Sequence, residues 1–172
     1  MALESFIISW VASVNNGDTH SANWGTDTPA RTGLIAPVLS QADLLAAIRA
    51  RRVFATEDSN LALSLRGNGA WMGTVLTATA AITLTVDLVD PDPEPVTLQL
   101  YDGNLLLHSV SLTRSSGTWS TTVNGQPGHF YWVKAVQADG DRAYSRPIWI
   151  EGHAPADTIY LNEVPPAPYG LD

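Results

Sequence analysis

The chain has 172 residues and a mass of 18.4 kDa, which allow one ordinary domain with a tail, or two small units, and exclude a whole catalytic barrel of about 200 residues or more. Hydrophobic residues make up 45% of the chain, enough for a packed core. Nine Lys and Arg residues oppose seventeen Asp and Glu residues, giving a net charge of −8. With Lys134 as the only lysine, no basic stripe is available to bind a phosphate backbone, so we expect no nucleic-acid partner.

The sequence contains no cysteine, so any metal must be bound by His, Asp or Glu, and disulfides and thiol nucleophiles are excluded. No apolar run approaches the ~20 residues of a membrane span. The N-terminus also lacks the basic region and cleavage site of a signal peptide. We therefore expect no membrane partner and no export signal within these residues.

The first third of the chain predicts one strand, one loop and one helix. The apolar run 6–14 predicts a strand that ends at the turn-forming residues 15–18, and residues 21–37 predict an irregular connection. Ser40 with Asp43 three residues later predicts a variant of the capping box at the start of a helix.

Beyond residue 56 the apolar residues recur with a period of two, which predicts strands. Turn-forming residues separate these runs at spacings typical of a small antiparallel sandwich. A change of apolar parity predicts a bulge near His108 and Ser109. The predicted strands are centred on 61–65, 82–88, 96–100, 105–112, 119–123, 130–136 and 144–150.

The triplet Asp18-Thr19-His20 follows the first predicted strand. A carboxylate and an imidazole two residues apart can both turn toward one metal ion. In the alternative interpretation Asp18 closes an Asx turn and His20 is a partly exposed loop residue. The triplet by itself does not decide between these interpretations.

Four blocks in and after this triplet are, in order, Asn16–Gly25, Arg31–Gly33, Leu44–Asp58 and Leu63–Gly73. Together they resemble the closing segment of PHP-domain metallohydrolases, in particular the CehA/McbA-like branch. Residues 143–150 are similar to the final strand of the sandwich appended to these barrels, and residues 159–164 are similar to the first strand of a lamin-tail domain.

The resemblance implies that Asp18 and His20 are the last metal ligands of a multinuclear zinc or manganese site. The opening His-x-His of the family and its intermediate ligands have no counterpart, because the remaining histidines are His108, His129 and His153. Two ligands fall short of the about three that a catalytic metal needs. We therefore expect the rest of the barrel to lie upstream and this chain to be catalytically silent by itself, without a stably bound metal.

The fold class that follows is mainly β: an immunoglobulin-like antiparallel β-sandwich preceded by a small α/β remnant of a PHP barrel. The predicted units are the remnant at 1–56, the sandwich at 57–152, and a linker with the start of a further domain at 153–172. The predicted function is that of the C-terminal fragment of a metal-dependent phosphoesterase. The alternative is a free-standing binding or adhesion sandwich of an exported protein.

The expected partner is the upstream barrel. Without it, the strand at 6–14 would expose its apolar side chains, and it would then dock on the sandwich, self-associate or aggregate. The lamin-tail resemblance and the cysteine-free sandwich favour an extracellular bacterial protein.

Two further groups of side chains have both functional and structural interpretations. The acidic residues Asp87, Asp90, Asp92 and Glu94 could hold calcium, although their spacing does not match an EF-hand and solvated turn carboxylates are the favoured interpretation. The pair at residues 139 and 141 is interpreted in the same way.

Aromatic residues of the later strands could form a stacking platform, but core or face-covering positions are favoured. These are Trp119, Tyr131, Trp132, Tyr144 and Trp149.

Overall fold

The computed structural model describes residues 20–23, 25–114 and 116–152. The protein is mainly β, and its two largely antiparallel sheets pack face to face as a sandwich, as the sequence predicts. The predicted strand at 6–14, residue Asp18 and the predicted linker at 153–172 lie outside the described residues. The predictions made for them stay predictions.

One helix and twelve strands form the described part of the chain. The helix α1 spans Gln41–Arg49. The strands are β1 Arg31–Leu34, β2 Val53–Thr56, β3 Ala62–Gly67, β4 Ala70–Trp71, β5 Val75–Leu76, β6 Thr79–Val89, β7 Val96–Asp102, β8 Leu105–Leu112, β9 Gly117–Gly125, β10 Phe130–Gln137, β11 Arg142–Ser145 and β12 Ile148–Ile150.

The larger sheet has eight strands and is built around β10. On one side β10 pairs with β7, which pairs with β8. On the other side β10 pairs with β11 and with β12. Strand β11 also pairs with β2, and β2 pairs with β1. Strand β12 pairs in parallel with β5. The smaller sheet has the order β4-β3-β6-β9.

The core lies between the sheets and is supplied by alternate residues of the long strands, since successive side chains of a strand point to opposite faces. This confirms the period-two prediction. From β6 the buried residues are Ile82, Leu84, Val86 and Leu88; from β7 they are Val96, Leu98 and Leu100; and from β10 they include Tyr131, Val133 and Ala135.

The start of the helix, a hairpin turn and a bulge also form where the sequence predicts them. The Ser40 hydroxyl accepts a hydrogen bond from the Asp43 amide (3.1 Å), which confirms the predicted start of the helix. The hairpin between β3 and β4 turns at Asn68 and Gly69, both with positive φ (49° and 84°). The predicted bulge is confirmed, with Leu107 as the extra residue between β7 and β8.

Strands β1 and β2 continue the larger sheet beyond β11. Gly33 lies opposite Phe54 in this pair, and a Cβ atom at Gly33 would lie 2.0 Å from the Phe54 ring. Strand β2 ends at residue 56, the predicted boundary between the barrel remnant and the sandwich, and it is hydrogen-bonded to β11. That division stays a prediction.

Aromatic residues of β10 and its neighbours lie on both faces of the larger sheet, and three of them, Tyr131, Trp132 and Trp149, are buried. Tyr131 is in the core, whereas Trp132 is buried by stacking on Tyr101 with ring centroids 4.3 Å apart. Trp132 also lies 6.5 Å from Tyr144, and Trp149 is buried. These positions agree with the favoured core or face-covering interpretation.

The single helix of the described residues is too short to cross a membrane.

Candidate functional site

The predicted metal-ligand loop is described only from His20 onward, and His20 is exposed. The pairing of Asp18 with His20 therefore stays a prediction. The loop after His20 is attached to the start of β1 through Arg31. The Arg31 guanidinium donates hydrogen bonds to the carbonyl oxygens of Thr28 (2.7 Å), Ala30 (2.8 Å) and Gly25 (3.1 Å). A single side chain thus fixes the path by which this loop enters the sheet.

The other described histidines have partners away from that loop. The His108 ring contacts Trp119 edge-on, with centroids 5.8 Å apart. Nδ1 of His129 lies 2.6 Å from a carboxylate oxygen of Asp102. Within the described ranges, none of the three histidines belongs to a group of three or more metal-ligating side chains.

Such a group does occur among acidic residues at one end of the sandwich, and it includes two of the predicted candidates. Asp58, Asp90 and Asp92 each offer one oxygen, and these oxygens lie within 4.8 Å of one another. Glu94 lies beside them, since its Oε1 shares the Gln137 side-chain nitrogen with oxygens of Asp58 and Asp90. We call Asp58, Asp90, Asp92 and Glu94 the acidic cluster.

The elements around the cluster position its carboxylates by short-range hydrogen bonds. The amide of Asp58 donates to the Thr56 hydroxyl at the end of β2 (3.0 Å), and one oxygen of Asp58 accepts from the Asn60 amide (3.0 Å). One oxygen of Asp90, just after β6, accepts from the amide of Asp92 (2.8 Å). The other carboxylate oxygen of Asp58 and that of Asp90 both lie next to Gln137 of β10.

Gln137, the last residue of β10, links the connections that follow β2 and β6. Its Nε2 lies 2.9 Å from Asp58 Oδ2, 3.0 Å from Asp90 Oδ2 and 2.9 Å from Glu94 Oε1. The other oxygen of Glu94 accepts from the amide of Ala138 (2.9 Å). The connections after β2, β6 and β10 therefore meet at one end of the sandwich.

Burial and mutual repulsion raise the pKa values of two carboxyl groups in this region. The pKa of Asp90 is raised by its burial and by the charges of Asp58 and Asp92, against hydrogen bonds that lower it. The pKa of Asp141 is raised by burial and by nearby carboxylates, beginning with Asp139. The end of the sandwich is thus strongly acidic.

The structure corrects the sequence interpretation of these acidic residues. Asp90 is 2% exposed and Asp58 is 9% exposed, so the prediction of solvated turn carboxylates is wrong for Asp90. Asp87 is not part of the cluster; it is paired with Arg66 on β3 and accepts a hydrogen bond from Thr118. Asp58 is not among the residues that the sequence predicts as ligands, because it stands apart from the other members of the acidic cluster along the chain.

A basic group lies elsewhere, around Trp149. The guanidinium carbons of Arg51 and Arg146 lie 5.8 Å and 5.2 Å from the centroid of the Trp149 ring. Burial, together with the charge of Arg51, lowers the pKa of Arg146 to about 10. Arg146 therefore remains protonated at neutral pH, and the group is positively charged there.

Comparisons with known proteins add little to this description. No family model matches the chain, and no curated protein matches it. A crystal structure of an engineered protein is similar over 52% of this chain and 20% of its own, with 14% identity and a TM-score of 0.34. The chain thus spans about a fifth of the length of that engineered protein.

Proposed function

We propose that this chain is the C-terminal part of a PHP-type metal-dependent hydrolase that acts on phosphoesters, and that it is not catalytic by itself. In this proposal residues 1–56 are the end of the barrel and residues 57–152 are an immunoglobulin-like accessory sandwich. The observation that carries the proposal is the ordered match of the sequence blocks, from Asp18-Thr19-His20 through the helix to 53–56.

The two proposed ligands fit a divalent ion such as zinc or manganese, because a carboxylate oxygen and an imidazole nitrogen are common donors to both. The exposure of His20 agrees with a ligand that is completed by residues of another segment. When bound, such an ion activates water and screens the charge of a phosphoryl group. Asp18 and His20 hold and orient it, while the remaining donors lie upstream.

The sandwich has a definite role in this proposal. The loop that carries His20 enters β1, β1 pairs with β2, and β2 pairs with β11 of the larger sheet. Arg31 holds the loop to the beginning of β1. The accessory sandwich thus supports the metal-ligand loop by fixing its C-terminal end.

Two proteins test the proposal: this chain, and a chain extended upstream through the predicted barrel. We expect the extended protein to retain zinc or manganese by elemental analysis and to hydrolyse bis(p-nitrophenyl) phosphate, whereas this chain does neither. In the extended protein, Asp18→Ala and His20→Ala should remove both metal and activity. His108→Ala, which removes an exposed imidazole of β8, should leave both unchanged.

The proposal fails if the upstream reading frame lacks a His-x-His after a strand, or if the Asp18→Ala and His20→Ala variants keep full activity. Specific glycan binding by this chain, together with either of those results, would favour a free-standing binding module of an exported protein.

A further inference from the structure

The helix α1 has apolar side chains around most of its circumference. Six of its nine residues are apolar, and only Asp43 and Arg49 carry a charge. A helix that is apolar on all sides is normally buried on all sides. In this structure, however, Ala47 is the only buried residue of the helix. Helix α1 therefore exposes apolar surface that a further element is expected to cover.

The exposed side of α1 is formed by large apolar side chains. Leu45 and Ile48 are three residues apart and share one side of the helix, where they are 41% and 52% exposed. Val38 and Leu39, just before the helix, are 62% and 89% exposed. We call these four residues the α1 apolar surface. Because none of them is charged or polar, the element that covers them must also be apolar.

The position of α1 in the fold indicates where that element lies. Helix α1 contacts β1, and β1 is the last strand at its end of the larger sheet in the described part of the chain. A helix with its side chains is about 10–12 Å wide. Neighbouring strands of a sheet are about 4.8 Å apart. A helix beside the last strand therefore extends past the edge of the sheet, and one more strand beside β1 would lie next to it.

We propose that residues 6–14 form a strand that lies along the outer edge of β1 and covers the α1 apolar surface. This run contains no charged residue and is rich in the β-branched and aromatic side chains that favour strands. The other long stretch outside the described residues, 153–172, contains prolines and acidic residues, which suit neither a strand nor an apolar surface.

The alternation within residues 6–14 indicates which face of this strand contacts the helix. Successive side chains of a strand point to opposite faces. One face of the strand is apolar throughout, whereas the other face contains two serines. The apolar face, which we expect to contact α1, consists of Phe6, Ile8, Trp10, Ala12 and Val14; the other face consists of Ile7, Ser9, Val11 and Ser13.

The path of the chain permits this docking. Gly25 lies beside the start of β1, because its carbonyl oxygen accepts a hydrogen bond from Arg31 (3.1 Å). Residues 15–24, which connect this point to the proposed strand, can span up to about 35 Å. Strand β1 itself is only about 13 Å long. Residues 6–14 in extended form span about 30 Å, which exceeds the length of about 14 Å of α1.

The inference does not rest on the proposed hydrolase, because it uses neither Asp18 nor His20 as a metal ligand. It concerns the packing of this chain by itself. It also gives the metal-ligand loop a second attachment: the loop is held between the proposed strand on one side and β1 on the other.

Thiol labelling of the full chain tests the proposal, because the native sequence contains no cysteine. Ile48→Cys places one thiol in the α1 apolar surface. We expect a maleimide to label it about tenfold or more faster when Ile8→Asp and Trp10→Asp are also present, because these charges prevent the docking. Ser9→Asp with Ser13→Asp is the matched control: it adds the same charge to the opposite face and should leave the labelling rate of Ile48→Cys unchanged.

Two further thiols guard against a general folding defect. Leu65→Cys, at a position that is 0% exposed between the sheets, should stay protected in every background. Leu105→Cys, at a position that is 65% exposed on β8, should be labelled rapidly in every background. Labelling of Ile48→Cys at the same rate with and without the Ile8→Asp and Trp10→Asp changes would overturn the proposal.

A second copy of the chain is the competing cover for the α1 apolar surface. Sedimentation at several protein concentrations distinguishes the two. We expect the protection of Ile48→Cys to be independent of concentration and to persist in the monomer. Protection that is lost when a dimer dissociates would overturn the proposal and assign the surface to self-association.

Discussion

Tyr131 is a buried residue whose ionisation is controlled by the fold. Its side chain lies in the core, and its hydroxyl donates a hydrogen bond of 2.6 Å to the carbonyl oxygen of Asn124. Burial, with a smaller contribution from the charge of Asp102, raises the pKa of Tyr131 from 10.0 to about 12. The folded protein therefore favours the neutral phenol.

This shift predicts a loss of stability at high pH. Because the folded-state pKa is raised, the stabilisation is complete below the unfolded-state value of 10.0 and is lost as the pH rises through about 12. A shift of this size sets an upper limit of about 3 kcal/mol, and because the hydroxyl is only partly buried, solvent screening reduces the expected loss in the free energy of unfolding to roughly 1–2 kcal/mol. Urea unfolding of the wild type and of Tyr131→Phe across this pH range measures the effect.

Tyr131→Phe supplies the internal control, because it lacks the ionisable group. At neutral pH the variant should be less stable by about 1 kcal/mol, since the Asn124 carbonyl loses its donor. This difference should shrink as the pH rises above 10.0. Parallel stability curves for the two proteins would show that Tyr131 does not cause the alkaline loss.

Part of the candidate site could be predicted residue by residue. Gln137 is in phase with Tyr131 and Val133 on β10, so alternation places it on the core side, where a polar residue needs a partner. The proximity of Asp58 to Asp90 could not be predicted in this way. The two residues are 32 positions apart, on two separate connections between the sheets, and their meeting depends on how the sheets pack.

At the level of elements, the pairing of β1 with β2 depends on a close approach at Gly33. The Phe54 ring covers Gly33, and a Cβ atom there would lie 2.0 Å from the ring. This arrangement is the packing of an aromatic side chain over a glycine of the neighbouring strand. It lets Phe54 reach the core while β1 remains at the end of the sheet.

Replacement of this glycine should therefore be costly. Gly33→Ala should lower the free energy of unfolding by about 1–3 kcal/mol, because the Phe54 ring must leave its position. The cost should be smaller in a Phe54→Leu background, which urea unfolding of the four proteins of a double-mutant cycle measures.

Gly117→Ala is the matched control for the Gly33 prediction. An added Cβ at Gly117, the exposed first residue of β9, meets no atom within 4 Å. The change should alter stability by less than about 0.5 kcal/mol. Equal costs for the two substitutions, or an unchanged cost of Gly33→Ala in the Phe54→Leu background, would contradict the role given to the Phe54 contact.

Local elements were predictable where their signals are local. Ser40 and Asp43 predicted the helix start, although the capping box differs in detail. The Asp43 carboxylate accepts from the Ser40 hydroxyl, whereas the Ser40 amide donates to the carbonyl oxygen of Val38. The sequence does not predict strand β2, because all four of its residues are buried and show no alternation of polar and apolar residues. The prediction of an irregular connection over 21–37 is wrong for Arg31–Leu34, which form β1 and pair with β2.

At the scale of the whole molecule, periodicity predicted a sandwich but not which strands pair. The pairing of β2 with β11, and the parallel pairing of β5 with β12, join segments that are distant in sequence. No local pattern encodes such pairs, because they are selected by the packing of the complete core. The same limit applies to the loop of His20, whose path follows from the position of β1.

That path gives a prediction for the extended hydrolase proposed above. Three hydrogen bonds from Arg31 hold the loop after His20. Arg31→Met keeps much of the side-chain length and removes these donors. We expect it to lower metal content and hydrolysis in the extended protein, because the loop loses its fixed entry into β1. Stability of the sandwich should change by less than about 1 kcal/mol, since the lost bonds lie in a partly exposed loop.

Arg31→Lys distinguishes the geometry of the guanidinium from its charge. A lysine keeps the positive charge but cannot reproduce the planar fork that contacts the carbonyl oxygens of Gly25 and Thr28. If the loop is positioned by these hydrogen bonds, Arg31→Lys should resemble Arg31→Met in metal content and activity. Full activity in Arg31→Lys would instead assign the effect to charge, and full activity in both variants would show that the metal-ligand loop is held from its upstream side.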